Sequence, residues 1–171
     1  GAGVVDKDAT VDGGEGTDTL QLQAVAAANV GAFSNFEVFD VAALNKTLDM
    51  DILASENDVT EIVGSAALGG ASTLTNVGAD VNFRATADMG ATELTLTQKT
   101  AGEFTVTLDA DQASTAGATT DNDATTVDLT NATTVNVVFD SSSVNEIAGA
   151  ISNTQTITLE TDAATSVSIV S

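Results

Sequence analysis

Glu93-Leu94-Thr95-Leu96-Thr97-Gln98 and, past the link Thr100-Ala101-Gly102, Phe104-Thr105-Val106-Thr107-Leu108-Asp109 decide the fold class. In both segments an apolar residue alternates with a hydroxyl-bearing or charged one, the period of a strand with one buried face. Val127-Asp128-Leu129-Thr130 and Ile157-Thr158-Leu159-Glu160 place their apolar residues at the same alternating positions. Stacked on one another, such segments build apolar ladders inside and threonine ladders outside. Working outward, similar strands are expected at Phe36–Val41, Leu48–Leu53, Val59–Gly64, Ser72–Val77, Val81–Thr86, Thr125–Thr130, Val135–Phe139, Thr156–Glu160 and Ser166–Val170. Their spacing of roughly ten to twelve residues belongs to an all-β chain, either a parallel β-solenoid of the β-helix or β-roll kind or a β-sandwich. The links favour the solenoid. Stretches such as Gly69-Gly70-Ala71 are too short for crossover helices, and the strands are not joined by the Asn-Gly or Asp-Gly pairs of tight hairpins.

Three segments break the rhythm. Gln21 to Phe33 is Ala-rich, suited to a short helix or a wide loop. Ala110 to Ala124 reads as an excursion from the stack, and Ser141 to Ser152 contains an apolar spacing that permits a short helix. Residues 1–171 are read as a single β-rich module, with a turn region over 1–21 and stacked rungs over 22–171. The opening Gly1-Ala2-Gly3 and an end inside a strand-like run are read as those of a segment cut from a longer protein.

Composition narrows the function. The chain has 25 acidic and four basic residues, a formal charge of −21, which disfavours nucleic acid and anionic lipid as partners. It has no Cys and no His, so disulfides, thiolate metal sites and the commonest catalytic base are excluded. No apolar run reaches the length of about eighteen residues that membrane insertion by a helix requires. Catalysis is not expected: there is no Trp or Tyr platform for a sugar, hardly any Arg or Lys for an oxyanion, and no nucleophile elbow, P-loop or dinucleotide fingerprint. Arg84, within a strand-like run, reads as a salt-bridge partner.

The strongest motif is Gly13-Gly14-Glu15-Gly16-Thr17-Asp18-Thr19-Leu20-Gln21, which fits the calcium-binding nonapeptide GGxGxDxUx at every defined position. Its glycines let the backbone turn its carbonyls inward, Asp18 supplies a carboxylate, and Leu20 starts a strand. Calcium takes about six to eight hard oxygens, carbonyls as well as carboxylates. Asp12, Gly13, Gly14, Gly16 and Asp18 are therefore candidate ligands, with Asp6 and Asp8 contributing from a degenerate preceding turn. The plainer alternative is a Gly-rich turn before a strand. Asp109, Asp111, Asp121 and Asp123 flank the long break and form a second calcium candidate beside the reading of ordinary loop polarity. Asp49 with Asp51, and Glu56 with Asp58, read as solvated pairs; no EF-hand spacing occurs. Asp88, with no acidic neighbour, reads as a neutral control position.

Asp12 to Leu20, a spacer, and then Ser34-Asn35-Phe36-Glu37-Val38-Phe39-Asp40-Val41 resemble the arrangement in Gram-negative S-layer proteins and related large RTX-type surface proteins exported by type I secretion. The resemblance covers Asp12 to Val41 by motif and the rest by texture. It implies calcium-driven folding outside the cell and lateral assembly into a surface lattice, with Ca2+ as the bound ion. It also implies self-association with neighbouring subunits through divalent cations, and cell-surface polysaccharide as a further partner. The alternative is a repeat of a large calcium-dependent adhesin.

Overall fold

Alternation becomes strand along most of the chain. The computed structural model describes residues 10–26, 31–109, 119–140 and 152–170. Within them the strands are β1 (Val11–Asp12), β2 (Thr19–Gln21), β3 (Phe33–Ser34), β4 (Val38–Asp40), β5 (Thr47–Asp49), β6 (Glu61–Gly64), β7 (Ser72–Val77), β8 (Asn82–Ala85), β9 (Leu94–Asp109), β10 (Thr119–Asp140), β11 (Ser152–Thr161) and β12 (Ser166–Val170). One helical turn, α1 (Met50–Leu53), follows β5. Ten strands form one curled sheet, and β1 pairs separately with β3.

All these pairings are parallel. This corrects the sandwich alternative for the described strands, since sandwiches of that kind are built from antiparallel sheets. The register makes two continuous apolar rows. One runs Leu20, Phe39, Ile62, Phe83, Val106, Val137, Ile169. The other runs Leu48, Leu74, Leu96, Leu129 and ends on Thr161. A one-residue slip would turn a whole row out to solvent, so burial itself holds the register. Phe39 and Phe83 of the first row, with Phe104, are the largest fully buried side chains among the described residues. Each such burial contributes about 1.5–3 kcal/mol.

The early strands are short, whereas β9 and β10 run through both rows and bend between them. The bend in β10 shows as register shifts from Thr130 to Thr134, with Asn131 at φ 69°. In β7 the shift falls between Leu74 and Val77, with Asn76 at φ 57°. Asparagine tolerates this left-handed region better than most residues, and both side chains tie the bend down. Asn131 donates through Nδ2 to the Gln98 carbonyl (3.1 Å) and Asn76 to Asp49 Oδ1 (3.0 Å).

The differences from the sequence expectation share a cause: alternation does not say where a strand bends or stops. Leu48–Leu53 is not one strand, because Asp49 Oδ1 accepts from the Asp51 N–H (3.0 Å) and starts α1 at Met50. Thr100-Ala101-Gly102 lies inside β9 rather than in a link. Thr119–Ala124, expected as part of an excursion, belong to β10, and the rest of that stretch lies outside the described residues. In the Ala-rich stretch a 3-10 turn spans Leu22–Ala24. The helix expected within Ser141–Ser152 lies outside the described residues except for Ser152, which opens β11.

Candidate functional site

The nonapeptide is a turn that delivers the chain into β2. Gly14 and Gly16 sit at φ +96° and +125°, backbone that a side chain would strain. Gly13 meets a different limit: a Cβ there would lie 2.1 Å from the Asn35 carbonyl oxygen. The Gly13 N–H donates to the Ser34 carbonyl (2.9 Å), so close backbone approach is what this glycine permits. Leu20, the apolar position of the motif, is buried at the head of the first row.

The two sequence motifs hold each other. Asp12 Oδ1 accepts from the Gly14 N–H (3.0 Å) and from Asn35 Nδ2 (2.7 Å). Asp18 donates its N–H to Glu37 Oε2 (2.9 Å), and its carbonyl accepts from the N–H groups of Glu37 (3.3 Å) and Val38 (3.1 Å). Asn35 takes the left-handed conformation, φ 59°, that this clasp requires. Below it Asn57, buried, accepts from the Phe36 N–H (2.9 Å) and donates to the carbonyls of Phe33 (3.0 Å) and Leu53. Asn57 was not singled out in the sequence, where an Asn-Asp pair in a polar link carries no distinguishing signal.

Much of the acidity has a local task. Besides Asp12 and Asp49, Asp40 Oδ1 accepts from the Ala42 N–H (3.0 Å) and Asp88 Oδ1 from the Gly90 N–H (2.7 Å). These are Asx turns, in which a carboxylate satisfies the amide two residues on. Asp88, the control position for calcium binding, thus carries a local turn contact of its own. Nor are Asp49 and Asp51 a pair on one strand face: Asp49 caps α1, and Asp51 pairs with Lys99 Nζ (2.7 Å). That ion pair lies at a groove of about 460 Å³ lined also by Met50, Asn57, Asp80 and Val81.

Arg84 is the salt-bridge partner its position suggests. Its Nε lies 2.9 Å from Glu61 Oε1 and its Nη1 3.0 Å from Asp109 Oδ2, joining three strands. The hydrogen bond to Glu61 leads in raising its pKa, burial opposes it, and Asp109 adds to the rise. Asp109 is thus engaged with a cation of the chain and stands in register with Asp140. Asp121 and Asp123 lie in β10, in register with Thr154 and Thr156 of β11, and the described ladders pair neither with Asp109. Asp6, Asp8 and Asp111 lie outside the described residues. Asp128 has a raised pKa, first through burial and then through Glu93 and Asp162.

The donors at the turn are all hard oxygens, which suits calcium better than a transition metal. Asp12 and Asp18 would hold it with carbonyls of the glycine turn. Among the described residues, no group of three acidic side chains stands close enough to hold a metal ion. No described helix is long and apolar enough to cross a membrane. In comparisons with known proteins, the chain matches no family model, no curated protein and no solved structure.

Proposed function

We propose that this chain is a non-catalytic, calcium-binding structural module of an extracellular S-layer lattice, and that its curled parallel sheet is a β-solenoid. The observation that carries the reading is the clasp between the two motifs. Asp12 with Asn35 and Asp18 with Glu37 tie the glycine turn to the segment Ser34–Val41, the two parts on which the S-layer resemblance rests. In-register parallel rows fit a solenoid, in which each layer is stabilised by its neighbours. A charge of −21 makes the compact state sensitive to divalent cations, which relieve carboxylate repulsion at the turns and bridge acidic surfaces between subunits. Export by type I secretion and a place on the cell surface belong to the same proposal.

Thermal melting in millimolar calcium and in excess chelator tests it. A ligand that binds only the folded chain at a hundred times its Kd adds about 2.7 kcal/mol. That corresponds to a rise in Tm of about 5–10 °C for a chain of this size. Equal melting curves remove calcium from the proposal. Electron microscopy of the protein across a calcium titration separates lattice from adhesin: ordered sheets with calcium support the lattice, and monomers at every concentration leave the adhesin reading ahead.

A further inference from the structure

The groove of about 460 Å³ beside α1 takes its walls from four parts of the chain. Met50 and Asp51 come from α1, Asp58 from the link before β6, Asp80 and Val81 from the link before β8, and Lys99 from β9. Met50 and Val81 are buried, which makes the floor apolar, whereas Asp51, Asp58 and Asp80 are exposed along the rim. One of these carboxylates is already matched: Lys99 Nζ lies 2.7 Å from Asp51 Oδ1. Asp58 and Asp80 have no basic partner among the described residues. No three acidic side chains there stand close enough to hold a metal ion, so the rim charge is spread for a longer cation.

We propose that this groove binds a linear alkyl polyamine, with its methylenes over Met50 and Val81 and its ammonium groups at Asp58 and Asp80. Charge complementarity names the class: unmatched carboxylates stand beside an apolar floor, and methylenes strung between ammonium groups meet both features at once. Lys99 shows the mode within the molecule, since it too brings a primary ammonium on a methylene stem to a rim carboxylate. A second copy of the chain is a poor source of that ammonium. Among the described residues Lys46 Nζ already donates to the carbonyls of Gln23 (2.8 Å) and Val25 (3.0 Å), and Arg84 and Lys99 are held by carboxylates. The formal charge of −21 draws free polyamines toward the surface, and the groove decides where they stay. The inference goes beyond the lattice reading and uses no calcium.

Methyl NMR of the chain labelled at methionine tests it, under conditions where circular dichroism shows the chain folded. The two methionines serve as probe and reference: Met50 lines the groove, and Met89 is buried elsewhere, beside Gly64. Cadaverine should shift the Met50 signal to saturation with a Kd of about 1 mM and leave Met89 in place. Pentanediol, which has the methylenes without the charge, and magnesium, which has charge without the methylenes, should not shift it. Asp58→Asn with Asp80→Asn should weaken cadaverine binding about tenfold. Glu93→Gln with Glu160→Gln removes the same charge from exposed positions off the groove and should leave binding nearly unchanged. A Met50 signal that cadaverine does not move, an equal response to pentanediol or magnesium, or equal affinity in the two double variants would each overturn the proposal. None of these results bears on the calcium and lattice reading, which melting and microscopy test separately.

Discussion

The glycine turn, Asp12 to Gln21, and the long strands β9 and β10 are held by opposite means. In the turn only Leu20 is buried, and polar contacts between neighbouring segments set the conformation. In β9 and β10 the inward residues Leu94, Leu96, Phe104, Val106, Leu108, Val127, Leu129, Val135 and Val137 are buried. Burial is additive along a row but indifferent to its starting point; a polar clasp adds little energy and specifies place. The turn therefore sets where stacking begins, and the rows supply the stability.

The comparison breaks if the rows are not the main source of stability. Phe83→Ala, at the fully enclosed centre of the first row, should cost about 3–5 kcal/mol in urea unfolding. A cost as small as that of a turn mutation would reverse the assignment. In the turn, Gly13→Ala forces a Cβ against the Asn35 carbonyl and should cost about 1–3 kcal/mol. Gly14→Ala meets open space and bears only the left-handed strain, about 1–2 kcal/mol. The two variants, compared by thermal melting, separate crowding from backbone strain.

Arg84→Met leaves Glu61 and the nearly buried Asp109 without their shared cation. With Arg84 about one-third exposed, the loss should be about 1–2 kcal/mol, read by the same urea titration in low salt. For the calcium proposal, Asp18→Ala should weaken binding in calorimetry by about tenfold, whereas the exposed Asp58→Ala should not. Equal behaviour would reduce the nonapeptide to a turn. The smallest effect is expected at Asp128. Its folded pKa is raised, so the folded state holds the proton more tightly than the unfolded chain. The stability this contributes is present below the unfolded pKa and is lost as pH rises through the folded value. Asp128→Asn should then raise Tm at neutral pH by about 1–2 °C and remove this part of the pH dependence, checked by scanning calorimetry at pH 7 and pH 5.

Strand content was legible where burial is one-sided. Ser72–Val77 has the same bounds in sequence and structure, with Ser72, Leu74 and Val77 buried and Thr73 and Thr75 between them half-buried. Leu48–Leu53 misled because its apolar residues suit a strand and a helical turn alike, and the Asp49 cap decided for the turn. In the candidate site Gly14 and Gly16 were readable, since a glycine-rich turn favours positive φ, whereas the need for Gly13 comes from the Asn35 carbonyl beside it. The hydrogen bonds of Asp12 with Asn35 and of Glu37 with Asp18 were not, because they join residues 23 and 19 apart along the chain. Asn57 was invisible for a related reason: Leu53 lies four residues back, but its other two partners, Phe36 and Phe33, are 21 and 24 residues away.

By itself the sequence determined that the chain is all-β, that one face of each strand is apolar, and that Gly13 to Gly16 turn ahead of Leu20. Those properties follow from local periodicity and from the conformations open to glycine. Only the tertiary structure decided that the strands pair in parallel, which residues stack into rows, and where β9 and β10 bend. It also decided that Arg84 joins Glu61 to Asp109 and that the row ends on an exposed Ile169. Alternation is the same for parallel and antiparallel neighbours, and register is a collective choice made by burying a whole row at once.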